Sequence, residues 1–263
     1  MNIEAQDKKR LLLHVLQMSP EDYARQAPVT LTSSQQTAYE ALLQRRANGE
    51  PVSKMTGVRA FWKHEFYTTY NTLDPRPETE GIIEAVLSSL PDTQLPLHIL
   101  DCGTGTGCII LSLLHEYPQA TGTALDISPQ AIAVAQRNAK QLNMTSRLEF
   151  LTLDWTNASF CLYDLIVSNP PYIPTQQVAQ LMPDVKEYEP HCALDGGGDG
   201  LEAYRQLFQK VVPALKRYGL FICETGEGQS GDVMKLGVAH GLRYMRTYDD
   251  IAAIPRILVF QQP

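Results

Sequence analysis

The chain has 263 residues and a formal net charge of −7, with 44% hydrophobic and 19% charged residues. This composition is typical of a globular protein with one large or two modest domains, and the acidic balance argues against a protein whose main task is to bind nucleic-acid phosphates. The five cysteines are scattered and form no Cys-x-x-Cys pair, which argues against a disulfide framework or a zinc site and suits the reducing cytoplasm, so we predict a cytoplasmic protein without a metal.

Residues 1–50 are predicted to form a small helical domain. Apolar residues recur at helical spacing between residues 11 and 16. Ser19-Pro20 is typical of a helix start, and Ser34 begins a further helix that ends at Asn48-Gly49. No apolar run here or later approaches the roughly 18 residues of a membrane span, so we predict no membrane partner.

Residues 51–74 are rich in aromatic side chains and are predicted to form a β-hairpin-like linker. The aromatic residues are Phe61, Trp62, Phe66, Tyr67 and Tyr70. They are interpreted as packing between two domains, although an aromatic binding surface is the alternative.

Beyond residue 74 a helix is predicted to open near Pro77, and strands then alternate with helices. The predicted strands are 97–101, 120–126, 147–151, 163–168, 219–224, 243–248 and 257–260. The predicted helices lie near 107–116, 129–142, 200–215 and 229–240. This alternation predicts an α/β fold with a doubly wound, mostly parallel seven-stranded sheet.

A glycine-rich loop closes the first of these strands with the sequence Asp101-Cys102-Gly103-Thr104-Gly105-Thr106-Gly107. Glycines in such a loop let the backbone approach a ligand closely. A P-loop would need a lysine here, and a dinucleotide fingerprint would need glycine where Cys108 stands. The remaining Gly-x-Gly-x-Gly spacing resembles the S-adenosyl-L-methionine loop of Rossmann-like methyltransferases.

Two further strand ends carry residues suited to a nucleoside cofactor. Asp126 ends the second strand, where a carboxylate can accept hydrogen bonds from both ribose hydroxyls. Asp154-Trp155 follows the third strand, and Trp155 can cover an adenine ring while Asp154 or a backbone N–H meets its edge. A packing tryptophan beside a turn aspartate is the alternative interpretation.

The most specific feature is Asn169-Pro170-Pro171-Tyr172, which follows the apolar strand 163–168. The two prolines restrict the backbone, so the carbonyls of Asn169 and Pro170 are not absorbed into a helical turn. Together with the Asn169 side chain and the Tyr172 ring they can hold a planar –NH2 group. An ordinary turn has the same Asn-Pro signal, but the upstream glycine loop favours the clamp.

Additional segments complete a resemblance to one family. They are Phe61-Trp62, Pro75-Arg76-Pro77-Glu78-Thr79-Glu80, Glu189-Pro190-His191-Cys192-Ala193-Leu194 and Glu224-Thr225-Gly226. With the Asn-Pro-Pro-Tyr corner they resemble the HemK/PrmC family of protein-(glutamine-N5) methyltransferases, which act on peptide-chain release factors. The resemblance covers nearly the whole chain from about residue 50. One departure is Asp74, where the family usually has an apolar residue.

The resemblance implies a Rossmann-like S-adenosyl-L-methionine-dependent methyltransferase domain over residues 75–263 and a substrate-recognition role for residues 1–50. The implied cofactor-binding residues are Gly103, Thr104, Gly105, Thr106, Gly107, Asp126, Trp155 and Asn169. The implied substrate-binding residues are Asn169, Pro170, Pro171 and Tyr172, of which Asn169, Pro170 and Tyr172 are the expected catalytic residues.

The expected reaction is methylation of the glutamine nitrogen in the Gly-Gly-Gln motif of class I release factors, by a monomer. The site motif alone leaves two other substrates open, a ribosomal-protein glutamine and adenine N6 in nucleic acid, although the acidic balance argues against nucleic acid. A cofactor-binding regulator without catalysis is a different class, and the intact Asn-Pro-Pro-Tyr corner argues against it. A chain that begins near residue 75 is expected to keep cofactor binding and to lose methylation of the release factor.

Overall fold

The sheet at the centre of the molecule has seven strands in the order β5-β4-β3-β6-β7-β9-β8. The computed structural model describes residues 3–26, 28–157 and 160–263. The seven strands are β3 (His98–Cys102), β4 (Thr121–Asp126), β5 (Leu148–Thr152), β6 (Tyr163–Ser168), β7 (Leu215–Glu224), β8 (Arg243–Asp249) and β9 (Pro255–Gln261). Strands β3 to β7 pair in parallel, and β9 pairs antiparallel with β7 and β8. The predicted mostly parallel seven-stranded sheet is confirmed.

Helices cover both faces of this sheet, as the alternating pattern predicted. They are α5 (Glu80–Ser89), α6 (Cys108–Glu116), α7 (Pro129–Gln141), α10 (Glu202–Ala214) and α11 (Ser230–Ala239). Apolar side chains of α5, α6 and α7 enter the core on one face, and those of α10 and α11 enter the core on the other. Because the strands are buried on both faces, their carboxyl ends and the loops that follow are the exposed edge at which a ligand can bind.

The N-terminal part of the chain forms the helices α1 (Ala5–Leu16), α2 (Pro20–Gln26) and α3 (Ser33–Ala47). The hydroxyl of Ser19 accepts a hydrogen bond from the backbone N–H of Asp22 at 3.0 Å, so Ser19 caps α2 as predicted. A short fourth helix, α4 (Val52–Thr56), was not predicted. It packs Val52 and Met55 against Leu11 in a small separate core. The N-terminal helices therefore continue into the segment that was predicted as linker.

The predicted hairpin follows α4 and consists of β1 (Val58–Phe61) and β2 (His64–Tyr67), which pair antiparallel. Phe61 and Phe66 are fully buried in the same core as the apolar side chains of α5 and α6, so these aromatic residues pack the hairpin against the sheet domain. The buried side chain of Asn138 on α7 exchanges hydrogen bonds with the backbone of Tyr67 at 2.8 and 2.9 Å. The same amide donates to the carbonyl of Thr106 at 2.8 Å, which connects the hairpin to the glycine loop.

Two short helices, α8 (Thr175–Val178) and α9 (Pro183–Lys186), lie between β6 and α10 and were not predicted. Each has four residues, which is too short for a periodic apolar pattern to mark it in the sequence. Within the part of the chain that the structure describes, no helix combines the length and the apolar character that crossing a membrane requires.

Candidate active site

The glycine loop lies where β3 ends and α6 begins. Gly103, Gly105 and Gly107 all have positive φ angles, of 75°, 54° and 78°, which explains why glycine stands at these three positions. Below the loop the carboxyl of Asp101 is fully buried and accepts a hydrogen bond from the Thr104 hydroxyl at 2.7 Å. Burial raises the pKa of Asp101 to about 7. Asp101 therefore supports the loop from inside the sheet.

Asp126 at the end of β4 faces the same loop. Its Oδ2 accepts a hydrogen bond from the backbone N–H of Gly105 at 2.9 Å, and its Oδ1 accepts one from Ser128 at 2.9 Å. Burial raises the pKa of the Asp126 carboxyl, although these N–H donors oppose the rise. The carboxylate thus holds the glycine loop in position in addition to facing the space above it.

A cleft opens above the glycine loop and Asp126. The predicted residues that line it are Gly103, Thr104, Gly105, Thr106, Asp126, Trp155, Asn169 and Pro171, and further lining residues include Thr72, Leu73, Asp74, Thr79, Ile109 and Ile127. Gly107 lies outside this lining, because a Cβ there would point at Leu111 and Ala135 of the neighbouring helices. Gly107 therefore serves the turn and the packing of the helix.

Trp155 closes one side of the cleft. Its ring lies 3.5 Å from the position that a Cβ would have at Gly103, so the ring packs directly on the glycine loop. Its indole N–H donates to the side chain of Gln206 at 3.2 Å. The tryptophan is both a packing residue and a wall of the cleft. Asp154 accepts a hydrogen bond from the backbone of Thr156 and is not among the residues that line the cleft.

The Asn-Pro-Pro-Tyr corner separates this cleft from a second cavity. Asn169 lines both spaces, whereas Pro170 and Tyr172 line only the second and Pro171 only the first. Other residues that line the second cavity are Leu73, Arg76, Glu78, Ile173, Leu181, Val185, Glu224 and Arg256. Asn169 is thus the predicted site residue at the boundary between the two spaces.

Hydrogen bonds fix the orientation of the Asn169 and Tyr172 side chains. Asn169 Nδ2 donates to the hydroxyl of Thr79 at 3.0 Å, and the Tyr172 hydroxyl donates to Glu224 at 3.2 Å. Within residues 3–26, 28–157 and 160–263 no protein group donates to Asn169 Oδ1. The amide therefore presents its carbonyl oxygen as an acceptor, as the clamp requires.

The glycine-rich segment 195–200 packs closely on the corner. A Cβ at Gly196 would lie 2.7 Å from Tyr172 Cα, and one at Gly200 would overlap the Tyr172 carbonyl oxygen. The Ile173 carbonyl accepts a backbone hydrogen bond from Gly196, the Ile173 N–H donates to Leu194 just before this segment, and Gln229 donates to the Tyr172 carbonyl at 2.8 Å. The glycines are therefore explained by close backbone approach, which holds Tyr172 in position.

A buried ionic cluster lies next to both cavities. The ammonium of Lys54 on α4 is fully buried and contacts Asp74 at 3.0 Å and Glu189 at 2.9 Å. It also donates to two backbone carbonyls of the linker at 2.7 and 2.8 Å. Arg76 contacts the other oxygen of Glu189 at 2.9 Å. The cluster joins the N-terminal helices to the segment that continues into the walls of the cleft.

Asp74 is the member of this cluster that departs from the usual family pattern. Burial alone would raise the pKa of its carboxyl, but Lys54, Ser53 and Thr68 together hold it below the ordinary value. Burial raises the pKa of Glu189, which Lys54 only partly opposes. The charged residue at position 74 is thus accommodated by a charged residue at position 54.

The chain is similar to known proteins over nearly its whole length. Residues 83–186 match the Methyltransferase small domain, and residues 2–57 match the PrmC N-terminal domain. The Release factor glutamine methyltransferase of Cereibacter sphaeroides is 42% identical over 98% of this chain and 91% of its own length. The chain belongs to the release factor glutamine methyltransferase family. The member from Moorella thermoacetica is 43% identical over 76% of this chain and 70% of its own length.

Solved structures show the same fold at much lower sequence identity. A methyltransferase from Pyrococcus furiosus is 16% identical, covers 85% of this chain and 98% of its own, and has a TM-score of 0.57. The catalytic domain of hMettl16, crystallised with an RNA hairpin, is 17% identical over 74% of each chain with a TM-score of 0.59. The Rossmann-like methyltransferase fold predicted from the sequence is confirmed. The present protein, as a member of the release factor glutamine methyltransferase family, is an enzyme that uses S-adenosyl-L-methionine.

The residues of the cleft fit that cofactor. Gly105 has open space where a Cβ would stand, and Asp126 provides a carboxylate suited to ribose hydroxyls. We expect the glycine loop and Asp126 to hold the nucleoside part and Trp155 to flank the adenine. Because Asn169 lines both this cleft and the second cavity, transfer of the cofactor's methyl group would take place at the Asn169 end of the cleft.

Sequence reasoning missed the roles of Thr79, Glu224, Lys54 and Glu189. Thr79, Glu189 and Glu224 stood inside segments quoted for the family resemblance, but nothing in those segments indicated their partners. The available signal was the position of Glu224, an acidic residue at the end of a buried strand that pairs with the strand immediately before Asn169. Lys54 had no signal, because its partners lie 20 and 135 residues further along the chain.

Replacing Asp126 with alanine is expected to weaken S-adenosyl-L-methionine binding by about 1.5–3 kcal/mol, or roughly 10- to 150-fold, the scale of a hydrogen bond to a charged group. Calorimetric titration with the cofactor measures this loss. Asp92→Ala is the matched control, since Asp92 accepts a backbone N–H in an exposed loop. A variant that loses thermal stability while its folded fraction binds the cofactor normally would show that Asp126 serves only the loop.

Proposed function

We propose that this protein methylates the side-chain amide nitrogen of the glutamine in the Gly-Gly-Gln motif of class I peptide-chain release factors. The observation that carries the proposal is the position of Asn169 between the cofactor cleft and a second cavity that contains Tyr172 and Pro170. Family membership supports the same substrate, because the relatives are named as release factor glutamine methyltransferases.

An amide nitrogen is a poor nucleophile, since its lone pair is delocalised into the carbonyl. When bound, S-adenosyl-L-methionine supplies an electrophilic methyl group on sulfur, and its transfer to the nitrogen leaves S-adenosylhomocysteine and releases a proton. The protein's task is therefore to place the nitrogen accurately and to stabilise the positive charge that develops on it. No buried general base is required for this scheme.

The corner residues are arranged for this task. In this scheme Asn169 Oδ1 and the Pro170 carbonyl accept the two amide hydrogens of the glutamine, and they stabilise the nitrogen as it becomes cationic. Gln229 holds the backbone carbonyl of Tyr172 and Glu224 holds its hydroxyl, and in this scheme the ring lies against the amide plane. Because these groups are fixed before the substrate arrives, little reorganisation accompanies the reaction.

The second cavity supports a protein substrate over a nucleic acid. Its wall combines apolar side chains such as Leu181 and Val185 with the acidic Glu78 and Glu224. The two basic residues in the wall, Arg76 and Arg256, contact Glu189 and Asp250. An apolar wall suits the aliphatic stem of glutamine, and its charges are largely compensated. Phosphate binding would require basic side chains without such partners.

The deciding experiment is methylation of a purified class I release factor with labelled cofactor, followed by mass spectrometry of the Gly-Gly-Gln peptide. We expect the label on the glutamine side chain and no label when that glutamine is replaced with alanine. Ribosomal proteins and duplex DNA are the parallel substrates. Label that persists without the glutamine, or that appears mainly on a ribosomal protein or on DNA, would contradict the proposal.

We also propose that residues 1–50 recognise the release factor and that the enzyme acts as a cytoplasmic monomer. The structure changes the expectation for a shortened chain, because residues 71–74 line the cofactor cleft and Lys54 pairs with Glu189. A chain that begins at residue 75 would lose both, so we now expect it to lose cofactor affinity as well as methylation. Calorimetry on that fragment tests this: undiminished cofactor binding would contradict it.

A further inference from the structure

The Glu224 carboxyl is a buried acidic group for which the reaction scheme above has no catalytic use. It lies at the end of β7 and is 2% exposed. Its Oε2 accepts a hydrogen bond from the Thr79 hydroxyl at 2.5 Å, and its Oε1 accepts one from the Tyr172 hydroxyl at 3.2 Å. Burying a carboxyl group is costly unless hydrogen bonds compensate for lost water. Such a group beside a reaction centre suggests a functional reason for its presence.

The same hydrogen bonds continue to the amide clamp. Thr79 Oγ1 accepts a hydrogen bond from Asn169 Nδ2 at 3.0 Å while its own hydrogen points at Glu224. Glu224 therefore reaches both side chains of the clamp, Tyr172 directly and Asn169 through Thr79. Thr79 and Glu224 can therefore affect the reaction through the clamp without contacting the glutamine themselves.

The chain of hydrogen bonds has a direction that depends on the charge of Glu224. An ionised carboxylate only accepts hydrogen bonds, whereas a hydroxyl has one hydrogen to donate. With Glu224 ionised, Thr79 donates to it and can only accept from its other neighbour. Asn169 must then turn its –NH2 towards Thr79, which leaves its carbonyl oxygen facing the substrate. The reversed amide would present a donor to the hydrogens of the glutamine –NH2.

We propose that Thr79 and Glu224 are positioning residues that determine which face of the Asn169 amide meets the substrate. This inference rests on the proposed clamp for a glutamine amide. It assigns to Thr79 and Glu224 the selection of the reactive orientation, whereas Asn169 and Tyr172 contact the substrate.

Protonation of Glu224 removes the constraint on the donor-to-acceptor direction of these hydrogen bonds. A protonated carboxyl can donate to Thr79, and the Thr79 hydrogen is then free to point at Asn169. Burial raises the pKa of Glu224 to about 7 although Thr79, Tyr172 and Arg256 favour the ionised form. The titratable and charged groups that face this carboxyl from the surrounding elements are Tyr172, Tyr204, Cys223, Glu78 and Arg256. Arg76 faces Tyr172 and lines the same cavity.

The sign of the pH effect follows from the raised pKa. Activity requires the ionised form, so kcat should rise with pH through about 7. Folding stability changes in the opposite sense, because the neutral carboxyl is the form that burial favours. The stabilising contribution of Glu224 to the free energy of unfolding is fully present below the ordinary pKa of 4.5 and is lost as pH rises through about 7.

Three variants of the full chain test the inference. Thr79→Val keeps the shape but removes the hydroxyl, Thr79→Ser restores the hydroxyl, and Glu224→Gln keeps the shape but supplies an –NH2 that can donate to Thr79. We expect Thr79→Val and Glu224→Gln to lower kcat for the release factor by about 10–100-fold, the scale seen when outer partners of a ligand group are removed. Thr79→Ser should recover most of the rate, and Glu224→Gln should change cofactor affinity little, because Glu224 lines the second cavity and not the cofactor cleft.

Two measurements distinguish control of the Asn169 amide orientation from a general structural role of Thr79 and Glu224. The wild-type kcat should decrease as the pH falls below 7, and the kcat of Glu224→Gln should not show this decrease. In NMR spectra of the cofactor-free enzyme, the Asn169 –NH2 hydrogens, assigned by their loss in Asn169→Ala, should exchange slowly in wild type and at least tenfold faster in Thr79→Val.

The inference is overturned if folded Thr79→Val and Glu224→Gln keep the wild-type kcat, or if Thr79→Ser is as slow as Thr79→Val. It is also overturned if exchange of the Asn169 amide is the same in wild type and Thr79→Val. A wild-type enzyme that fails to methylate the release factor would contradict the proposed function instead, and the exchange measurement would still decide the orientation of Asn169.

Discussion

Replacing Asn169 with alanine is expected to lower the rate of methyl transfer to the release factor by about 10²–10³, the usual cost of losing one preorganised group that stabilises the transition state. The reason is that Asn169 supplies an acceptor for the glutamine amide and lies at the boundary of the two cavities. Cofactor affinity should fall much less, since the glycine loop and Asp126 remain. Single-turnover kinetics with labelled cofactor, alongside calorimetry, measure both quantities.

Asn169→Asp is the sharper variant. It keeps an oxygen acceptor but cannot donate to Thr79, and its negative charge can pair with the cationic sulfonium of the cofactor. We therefore expect slow turnover while cofactor binding is retained. If Asn169→Ala transfers methyl groups at the wild-type rate, or if both variants lose cofactor binding in proportion to rate, Asn169 is not part of an amide clamp.

Lys54→Met is expected to lower the free energy of unfolding by about 3–5 kcal/mol, because it leaves two carboxyl groups buried with one cation fewer. Lys54 is fully buried and contacts both Asp74 and Glu189. Denaturant unfolding of the whole chain measures the loss. Since Glu189 precedes residues that line the cleft, cofactor affinity should also fall.

The chain offers a matched control in Lys216→Met. Lys216 forms an ion pair with Asp164 at 2.8 Å, but its side chain is 44% exposed, so its loss should cost only about 0–1 kcal/mol. Combining Lys54→Met with Asp74→Leu removes a buried cation and a buried anion together and should recover part of the lost stability. If Lys54→Met is no more harmful than Lys216→Met, the cluster does not stabilise the fold.

Much of this protein can be predicted from local sequence. Alternating apolar strands and helices indicated the sheet and the helices on its faces, and all seven predicted strands are present to within a few residues. The glycine loop, Asp126 and Asn169 were found because a strand end, a positive φ and a proline pair are local properties with a distinct spacing. The carboxyl ends of parallel strands meet at one edge, so local motifs at those ends predict a shared site.

Only the tertiary structure showed what holds that site together. Thr79 and Glu224 are 145 residues apart in the chain, and the cluster of Lys54, Asp74 and Glu189 spans 135 residues. Their pairing depends on how the linker, the corner after β6 and the end of β7 pack, and no local pattern encodes that packing. In a sequence, a glutamate or lysine is expected to be a solvated charge at the surface. Only when the side chain is buried does its stability depend on specific charged or hydrogen-bonding partners.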